Sequence, residues 1–239
     1  MSPIPTEVLG LRVEVVRSIR RTAGLHIIGS DLQVRVPEHL GDERVAAILH
    51  QKRSWIRTKV AELKQLPPAR PKELVSGESF PYLGRNYRLK VHEGHRVGVC
   101  LSGGYLKATV RPTEQGEQRK ARIQQYLEVW YRAKAQERLS EKVGRYAQQM
   151  GVTPAAVSVR NFKSRWGSCD KKAQLVFNSN IIKAPHSIVD YVVVHELCHL
   201  IHHNHSKEFW ELVRRYDPIY QEHRDWLKLR GSRLLTVSS

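Results

Sequence analysis

The segment VVVHELCHLIHHNH, residues 192–205, combines an apolar run with five histidines and a single glutamate. Its centre, His195-Glu196-Leu197-Cys198-His199, matches the pattern HExxH. On an α-helix, residues four apart lie on one face about 40° apart, so two imidazoles at this spacing can reach one metal ion. A glutamate beside that face can hold a water molecule that the metal activates. We therefore predict that His195 and His199 bind a metal and that Glu196 is a general base.

The residues that flank this motif are apolar on nearly every side of the predicted helix, with YVVV at 191–194 and LI at 200–201. Burial of two imidazoles and a carboxyl group costs several kcal/mol unless these groups are paired or bind a metal. An exposed helix with incidental histidines fits this apolar frame poorly. The context therefore favours a buried metal site.

A catalytic zinc ion usually has three protein ligands and one water molecule. His202 and His203 are poor third ligands on a continuing helix, because seven residues rise about 10.5 Å and ligand nitrogens must lie about 2.1 Å from one ion. His205 is better placed, since a helix end at Asn204 and an N-cap at Ser206 would create a turn between them. We predict His205 as the third ligand. The alternative is a carboxylate, from Glu208, Glu211 or Glu222.

The composition predicts a basic protein. The chain of 239 residues carries 40 Lys and Arg against 23 Asp and Glu, a formal net charge of +17 that favours contact with polyanions such as nucleic acid. Three scattered cysteines argue against a disulfide framework and for a reducing compartment. No apolar run approaches the length of about 18 residues that spans a membrane, and the N-terminus lacks the pattern of a signal peptide. We therefore expect a cytoplasmic protein.

The hydrophobic periodicity predicts an α+β fold in two parts. Residues 1–115 read as a β-rich accessory or substrate-binding region with one helix at 41–65. Residues 116–239 read as a helix-rich, metal-binding catalytic domain that begins with an amphipathic helix at 117–149. A short sheet in this part would contain strands near 157–162 and 174–177, on either side of the turn RWGSCDKKA. No internal repeat is apparent.

Basic side chains gather near one aromatic residue, Trp55, in the N-terminal part. This combination is found in proteins that bind single-stranded nucleic acid, although a solvated helix face has the same composition. The side chains are Arg17, Arg20, Arg21, Lys52, Arg53, Arg57 and Lys59.

Five segments, in this order, resemble the YgjP-like metallopeptidase family, which is related to the SprT and WLM groups of zincin-like metallopeptidases. They are RWGSC at 165–169, FNSNIIKAP at 177–185, YVVVHELCHL at 191–200, NHSKEFW at 204–210 and DPIYQEHRDWL at 217–227. The segment KRSWI at 52–56 also fits the accessory region of that family, so the resemblance covers most of the chain. It implies one Zn²⁺ per chain on His195, His199 and His205, with Glu196 as general base. The implied fold is a minimal zincin core, and the implied substrate is a protein or peptide.

Three further residues are predicted to bind substrate: Arg165, Trp166 and Asn178. For Asn178 the alternative is that its side chain simply satisfies the end of a strand. Arg165 and Trp166 lie in the RWGSC segment, which would line the substrate cleft if it is not simply a tight turn packed on the core. A donor that stabilises the oxyanion is also expected in an amide hydrolase. The candidates for that donor are Arg165, His202, Tyr216 and Tyr220.

Three functions are compatible with these patterns. The first is a zinc peptidase that uses metal-activated water, with substrates that include proteins associated with nucleic acid. The second is a metal-dependent hydrolase of nucleoside triphosphates, although phosphoryl transfer more often uses carboxylate-bound Mg²⁺ or paired metals. The third is a nucleic-acid-binding protein with a structural metal, although structural zinc sites usually have four protein ligands. The sequence therefore favours the peptidase and leaves the oligomeric state open.

Overall fold

Three sheets and six α-helices form the part of the chain that the computed structural model describes, residues 4–20, 22–28, 31–64, 72–162 and 165–236. The strands are β1 (Glu7–Val8), β2 (Leu11–Ser18), β3 (Gly24–Ile28), β4 (Asp31–Pro37), β5 (Ser79–Tyr82), β6 (Arg85–Glu93), β7 (Gly98–Ser102), β8 (Tyr105–Val110), β9 (Ala156–Arg160), β10 (Gly167–Cys169) and β11 (Gln174–Asn178). The helices are α1 (Asp42–Gln51), α2 (Arg53–Lys64), α3 (Gly116–Met150), α4 (His186–Cys198), α5 (Lys207–Tyr216) and α6 (Tyr220–Thr236). The predicted α+β class is confirmed, and no helix in these ranges is long and apolar enough to cross a membrane.

The chain divides into two compact units, Met1–Pro68 and Ala69–Ser239. In the first unit, the sheet has the order β1-β2-β4-β3, and its buried side chains form one core with residues of α1 and α2. The single helix predicted at 41–65 is two helices, because Lys52 leaves the helical conformation with φ −91° and ψ 6°. The first unit thus has its own small hydrophobic core.

In the second unit, a sheet of order β5-β6-β8-β7 packs against the long helix α3. Apolar residues of α3 at helical spacing are buried over its whole length, and Gly151 ends the helix in the left-handed conformation with φ 67°. The predicted helix at 117–149 is therefore confirmed almost to the residue. Helix α4 and the three-stranded sheet β10-β11-β9 complete the same core.

The two four-stranded sheets repeat one topology, which the sequence did not reveal. In each, two central strands are parallel and both edge strands are antiparallel to their neighbours. The first hairpin of each sheet turns through a Leu-Gly pair with positive φ, 54° and 81° at Leu9-Gly10 and 48° and 81° at Leu83-Gly84. Glycine tolerates this left-handed conformation, whereas leucine rarely adopts it, so the shared pair identifies an internal structural repeat.

The boundary between the compact units lies at residue 68, whereas the sequence placed a division of roles near residue 115. The sheet at 79–110 shares its core with α3 and α4, because Phe80, Leu89 and Leu106 are buried in the same cluster as these helices. Its first hairpin also contacts the start of α4: a Cβ at Gly84 would lie 3.0 Å from the Cα of Pro185. The sheet therefore supports helix α4 structurally. The assignment of 1–115 to an accessory or substrate-binding role stays a prediction.

Candidate active site

Helix α4 carries the HExxH motif through the middle of the second core. It begins after Pro185, and nine of its residues are buried, including Val193 and Val194 on the turn before the motif. The helix ends at Cys198 with His199 as its C-cap, six residues before the predicted end at Asn204. Hydrogen bonds between residues three apart, as in a 3₁₀ turn, follow this end: the backbone N–H of Leu200 donates to the carbonyl of Leu197 at 3.0 Å. The early end leaves a longer turn for the last histidines.

Three imidazoles converge at this turn. One ligand-capable atom from each of His195, His199 and His205 lies within 4.8 Å of the other two. The Nε2 atoms of His195 and His205 are 3.1 Å apart. His205 is brought there by the start of α5, where the hydroxyl of Ser206 accepts a hydrogen bond from the backbone N–H of Phe209 at 3.4 Å. The predicted N-cap at Ser206 is thus confirmed, and the three predicted ligands lie together.

The surroundings of the histidines leave nitrogen lone pairs available for a metal. The Nδ1 atom of His199 lies 3.1 Å from the carbonyl oxygen of His202, so it donates there and leaves Nε2 as the ligand atom. The Nδ1 atom of His195 is buried and has no hydrogen-bond partner among the described residues. Burial, together with the charges of His199, His205 and Arg224, lowers the pKa of His195 to about 3. Neutral imidazole is the form that binds metals, so the residues present fit a metal ion.

Aromatic side chains fix the orientation of the histidines. The fully buried ring of Phe209 contacts all three, with centroid distances of 4.6 Å to His199, 4.8 Å to His205 and 5.0 Å to His195. Trp210 stacks on the ring of His205 at 5.5 Å. Trp210 also stacks with the ring of Tyr220, at a centroid distance of 5.3 Å. The NHSxxFW segment therefore supplies both His205 and the aromatic side chains that hold its ring.

The carboxyl group of Glu196 is enclosed beside this cluster. Its residue is only 5% exposed, and burial raises the pKa of Glu196 to about 8, while the charge of Arg165 opposes the rise. Strand β10 passes so close that a Cβ at Gly167 would lie 2.5 Å from Oε1 of Glu196. Only a residue without a side chain leaves room for the carboxyl group in this position. The RWGSC segment was expected to be a turn, but residues 167–169 form an antiparallel pair with β11.

Asn178 is completely buried at the end of β11. A role in substrate binding stays a prediction for this residue. Its side-chain amide donates to the carbonyl oxygens of Phe162 at 2.9 Å and Arg165 at 3.0 Å, and its side-chain oxygen accepts from the N–H of Asn180 at 3.1 Å. Asn178 thereby holds the segment before β10, and with it Gly167, against α4.

We expect Asn178→Ala to lower the free energy of unfolding by about 2–4 kcal/mol, because it removes the partner of one buried backbone N–H and of two partly buried carbonyl groups. Urea denaturation followed by circular dichroism measures this loss. Asn86→Ala, at an exposed position in β6, is the matched control and should change stability by less than about 0.5 kcal/mol. Equal stability of the two variants would contradict the role given to Asn178.

The other two predicted substrate-binding residues differ in exposure. Arg165 is exposed, and its guanidinium lies 4.3 Å from the ring centroid of Phe162. Trp166 is half-buried and packs against α6, where a Cβ at Gly231 would lie 3.0 Å from its ring. A role in substrate binding stays a prediction for both.

Among the oxyanion candidates, Tyr216 donates from its hydroxyl to the carbonyl oxygen of Gln149 at 3.4 Å and is thus tied to the end of α3. The sequence analysis missed Arg224. Its guanidinium lies 4.8 Å from the ring centroid of Trp210, and its charge lowers the pKa of both His195 and His205. Arg224 belongs to the DPIYQEHRDWL segment, but no spacing rule relates that segment to HExxH.

The basic cluster predicted around Trp55 is partly neutralised. Trp55 is 40% exposed, but Arg17 forms an ion pair with Asp42 and Lys59 forms one with Glu62. Another predicted member, Arg21, lies outside the described residues. Binding of nucleic acid at this cluster stays a prediction.

Two solved structures are similar to part of the chain. The metallopeptidase zymogen of Pyrococcus abyssi abylysin is 20% identical, with a TM-score of 0.35 over 37% of this chain and 90% of that chain. The metallopeptidase zymogen of Methanocaldococcus jannaschii jannalysin is 18% identical, with a TM-score of 0.34 over 37% of this chain and 92% of that chain. No curated protein sequence matches the chain.

A buried helix with HExxH and a third histidine on the following turn is the arrangement of a metallopeptidase site. The chain belongs to the YgjP-like family, because the family model of the YgjP-like metallopeptidase domain matches residues 21–230. The resemblance found in the sequence is therefore confirmed. The protein is a metallopeptidase, and its substrates are proteins or peptides.

Proposed function

We propose that this protein is a zinc-dependent peptidase in which His195, His199 and His205 hold one Zn²⁺ and Glu196 is the general base. The observation that carries the proposal is the convergence of three imidazoles within 4.8 Å beside an enclosed carboxyl group. Three neutral imidazoles without a thiolate are a donor set that suits catalytic zinc and leaves one position for water or substrate.

Bound zinc would supply Lewis acidity, which polarises a peptide carbonyl and lowers the pKa of water to about 7. Burial raises the pKa of Glu196, whereas the charge of a bound zinc ion would favour its ionised form. As a carboxylate, Glu196 accepts a proton from the attacking water and then gives that proton to the leaving amide nitrogen. Gly167 has no side chain and so leaves room for this carboxyl group between α4 and β10. Arg165 and Arg224 are cations whose charges act on Glu196 and on the histidines, respectively, so each is a candidate to stabilise the oxyanion.

The two alternative functions are less well supported by the geometry. A nucleotide hydrolase would be expected to have carboxylates for Mg²⁺ or a second metal, whereas the described cluster consists of three histidines. A structural zinc site would be closed by a fourth protein ligand, and none accompanies the three within the described ranges. The idea that substrates are associated with nucleic acid needs a separate binding surface.

The test of this proposal is the loss of metal and activity on His205→Ala. Loss of a group that only orients a metal ligand lowers metal affinity by about 10–100-fold. Loss of a ligand itself should therefore weaken zinc binding by more than about 100-fold. His203→Ala is the matched control, since His203 is an exposed neighbour outside the cluster. Zinc affinity is measured by competition with a chromophoric chelator, and activity by peptide fragments released from an unfolded basic protein.

Each zinc-loaded protein is also offered a nucleoside triphosphate. We expect fragments from wild type and His203→Ala, and none from His205→Ala or from chelator-treated wild type. Phosphate or pyrophosphate release that depends on zinc, without peptide fragments, would contradict the peptidase and establish a nucleotide hydrolase.

A further inference from the structure

The outward face of the sheet β5-β6-β8-β7 is basic. Alternate residues of β6 and β8, among them Leu89, Leu106 and Ala108, point into the core against α3. The residues between these point away from the core. They form three neighbouring pairs across the two strands: Arg88 with Tyr105, Lys90 with Lys107, and His92 with Thr109. We call these six side chains the basic sheet face. Glu93 of β6 lies on the same side of the sheet as Leu89 and forms an ion pair with Arg119 of α3 at 2.9 Å.

The charges on the basic sheet face are not neutralised by the residues that the structure describes. Lys90 and Lys107 are direct neighbours on adjacent strands, a placement of like charges that destabilises a sheet. In the described part of the chain, no carboxylate forms an ion pair with Arg88, Lys90 or Lys107. Several basic side chains of α3, in contrast, are paired, as Lys120 with Glu117 at 2.8 Å and Arg138 with Glu141 at 2.8 Å. An anionic partner would remove the repulsion.

The internal repeat provides a comparison. In the sheet of the first unit, the outward face carries both signs: Arg12 pairs with Asp31 at 3.0 Å, and Glu14 accepts from the side chain of Gln33 at 2.9 Å. The topology is the same, so folding does not require a basic face. The charge of the basic sheet face is therefore a property of this sheet alone, which indicates a binding role.

An aromatic ring lies among these charges. The Nζ atom of Lys90 is 3.7 Å from the ring centroid of Tyr105, which is half-buried and on the outward face. Positive side chains around an aromatic ring on a four-stranded sheet can bind the phosphates of a single strand and stack one of its bases. From Arg88 to His92 the face extends about 13 Å along the strand, at about 3.3 Å per residue. It can therefore contact only a short segment of a nucleic acid.

We propose that the basic sheet face binds single-stranded nucleic acid, with phosphates at Arg88, Lys90 and Lys107 and a base stacked on Tyr105. This binding goes beyond the proposed hydrolysis and does not depend on it. Because the sheet and the histidine cluster belong to the same compact unit, Ala69–Ser239, the binding would retain the peptidase near proteins on nucleic acid.

The test is fluorescence anisotropy of a labelled thymidine oligonucleotide of about 20 nucleotides, titrated with the full chain. The double variant Lys90→Glu/Lys107→Glu should bind at least about tenfold more weakly, because it removes two phosphate contacts. The matched control is Lys120→Glu/Lys228→Glu, which changes the net charge equally at two exposed lysines that already have carboxylate partners. This control should stay within about threefold of wild type. Tyr105→Ala should weaken binding by about tenfold, the value of one stacked base.

Cys100 gives a second measurement on the unaltered protein. It is exposed and lies directly opposite Lys107 in the antiparallel pair of β7 and β8, so it is on the same face. Bound oligonucleotide should slow its alkylation by iodoacetamide, while Cys169, half-buried beside the active site, should react at an unchanged rate. Equal weakening by the two double variants, unprotected Cys100, or binding of anionic phosphatidylserine vesicles without binding of the oligonucleotide would each overturn the proposal.

Discussion

Glu196→Gln is expected to lower kcat by about 10²–10⁴-fold, the usual contribution of a general base. Glutamine has nearly the same shape as glutamate and fits the same enclosed space beside Gly167, but its amide cannot accept the proton of the attacking water. Substrate binding should change little, so KM should stay near the wild-type value. The rate is measured as fragments released from an unfolded protein by the zinc-loaded enzyme.

The controls for this result separate chemistry from folding and from metal loss. The zinc content of Glu196→Gln should remain one ion per chain, because the three proposed ligands are unaltered. Glu211→Gln changes an exposed carboxylate of α5 and should leave kcat within about twofold of wild type. If Glu196→Gln kept more than one tenth of the wild-type rate with full zinc, another group would have to be the base.

The elements that the sequence predicts well have a strong local pattern. The predicted bounds of α3, 117 and 149, lie one residue inside the observed helix, because apolar residues recur at helical spacing along it and Gly151 ends it. The convergence of the three histidines could be predicted because HExxH places two of them on one helix face and because Ser206 starts the next helix. Local spacing and capping were enough to place His205.

Other features could not be predicted, because they depend on tertiary contacts. The turn at 165–173 contains only three residues in strand conformation, and their pairing with β11 is held by an amide of Asn178 that bonds 13 and 16 residues back along the chain. The internal repeat shares its topology and its Leu-Gly turns, whereas the outward faces of its two sheets differ in charge. Sequence similarity therefore does not reveal the internal repeat.

Gly167→Ala is the second variant with a large expected effect, and it tests the packing of the proposed general base, Glu196. The new Cβ would lie 2.5 Å from Oε1, 2.6 Å from Cγ and 2.7 Å from Cδ of Glu196. Nonbonded carbon atoms prefer about 3.5–4.0 Å, so roughly 1 Å of separation must be regained. Helix α4 is fixed in the core and β10 is paired with β11, so the carboxyl group is the part that moves.

A displacement of about 1 Å in a catalytic group can cost about 10²-fold in rate, so kcat of Gly167→Ala should fall by about that factor. Overpacking should also lower the free energy of unfolding by about 1–3 kcal/mol. Gly144→Ala is the matched control, since Gly144 lies on an exposed face of α3 with nothing within 4 Å of the added Cβ. It should keep full activity and gain about 0.5–1 kcal/mol in stability.

The double variant Gly167→Ala/Glu196→Gln decides whether the glycine acts through the glutamate. If its only catalytic effect is to position that carboxyl group, the alanine should cost nothing further once the carboxyl group is gone, and the double variant should have the kcat of Glu196→Gln. A further tenfold loss in the double variant, at full zinc content, would mean that the alanine also disturbs substrate binding or the oxyanion. Wild-type activity in Gly167→Ala would mean that β10 moves and the carboxyl group of Glu196 does not. The close approach of β10 to Glu196 would then have no part in catalysis.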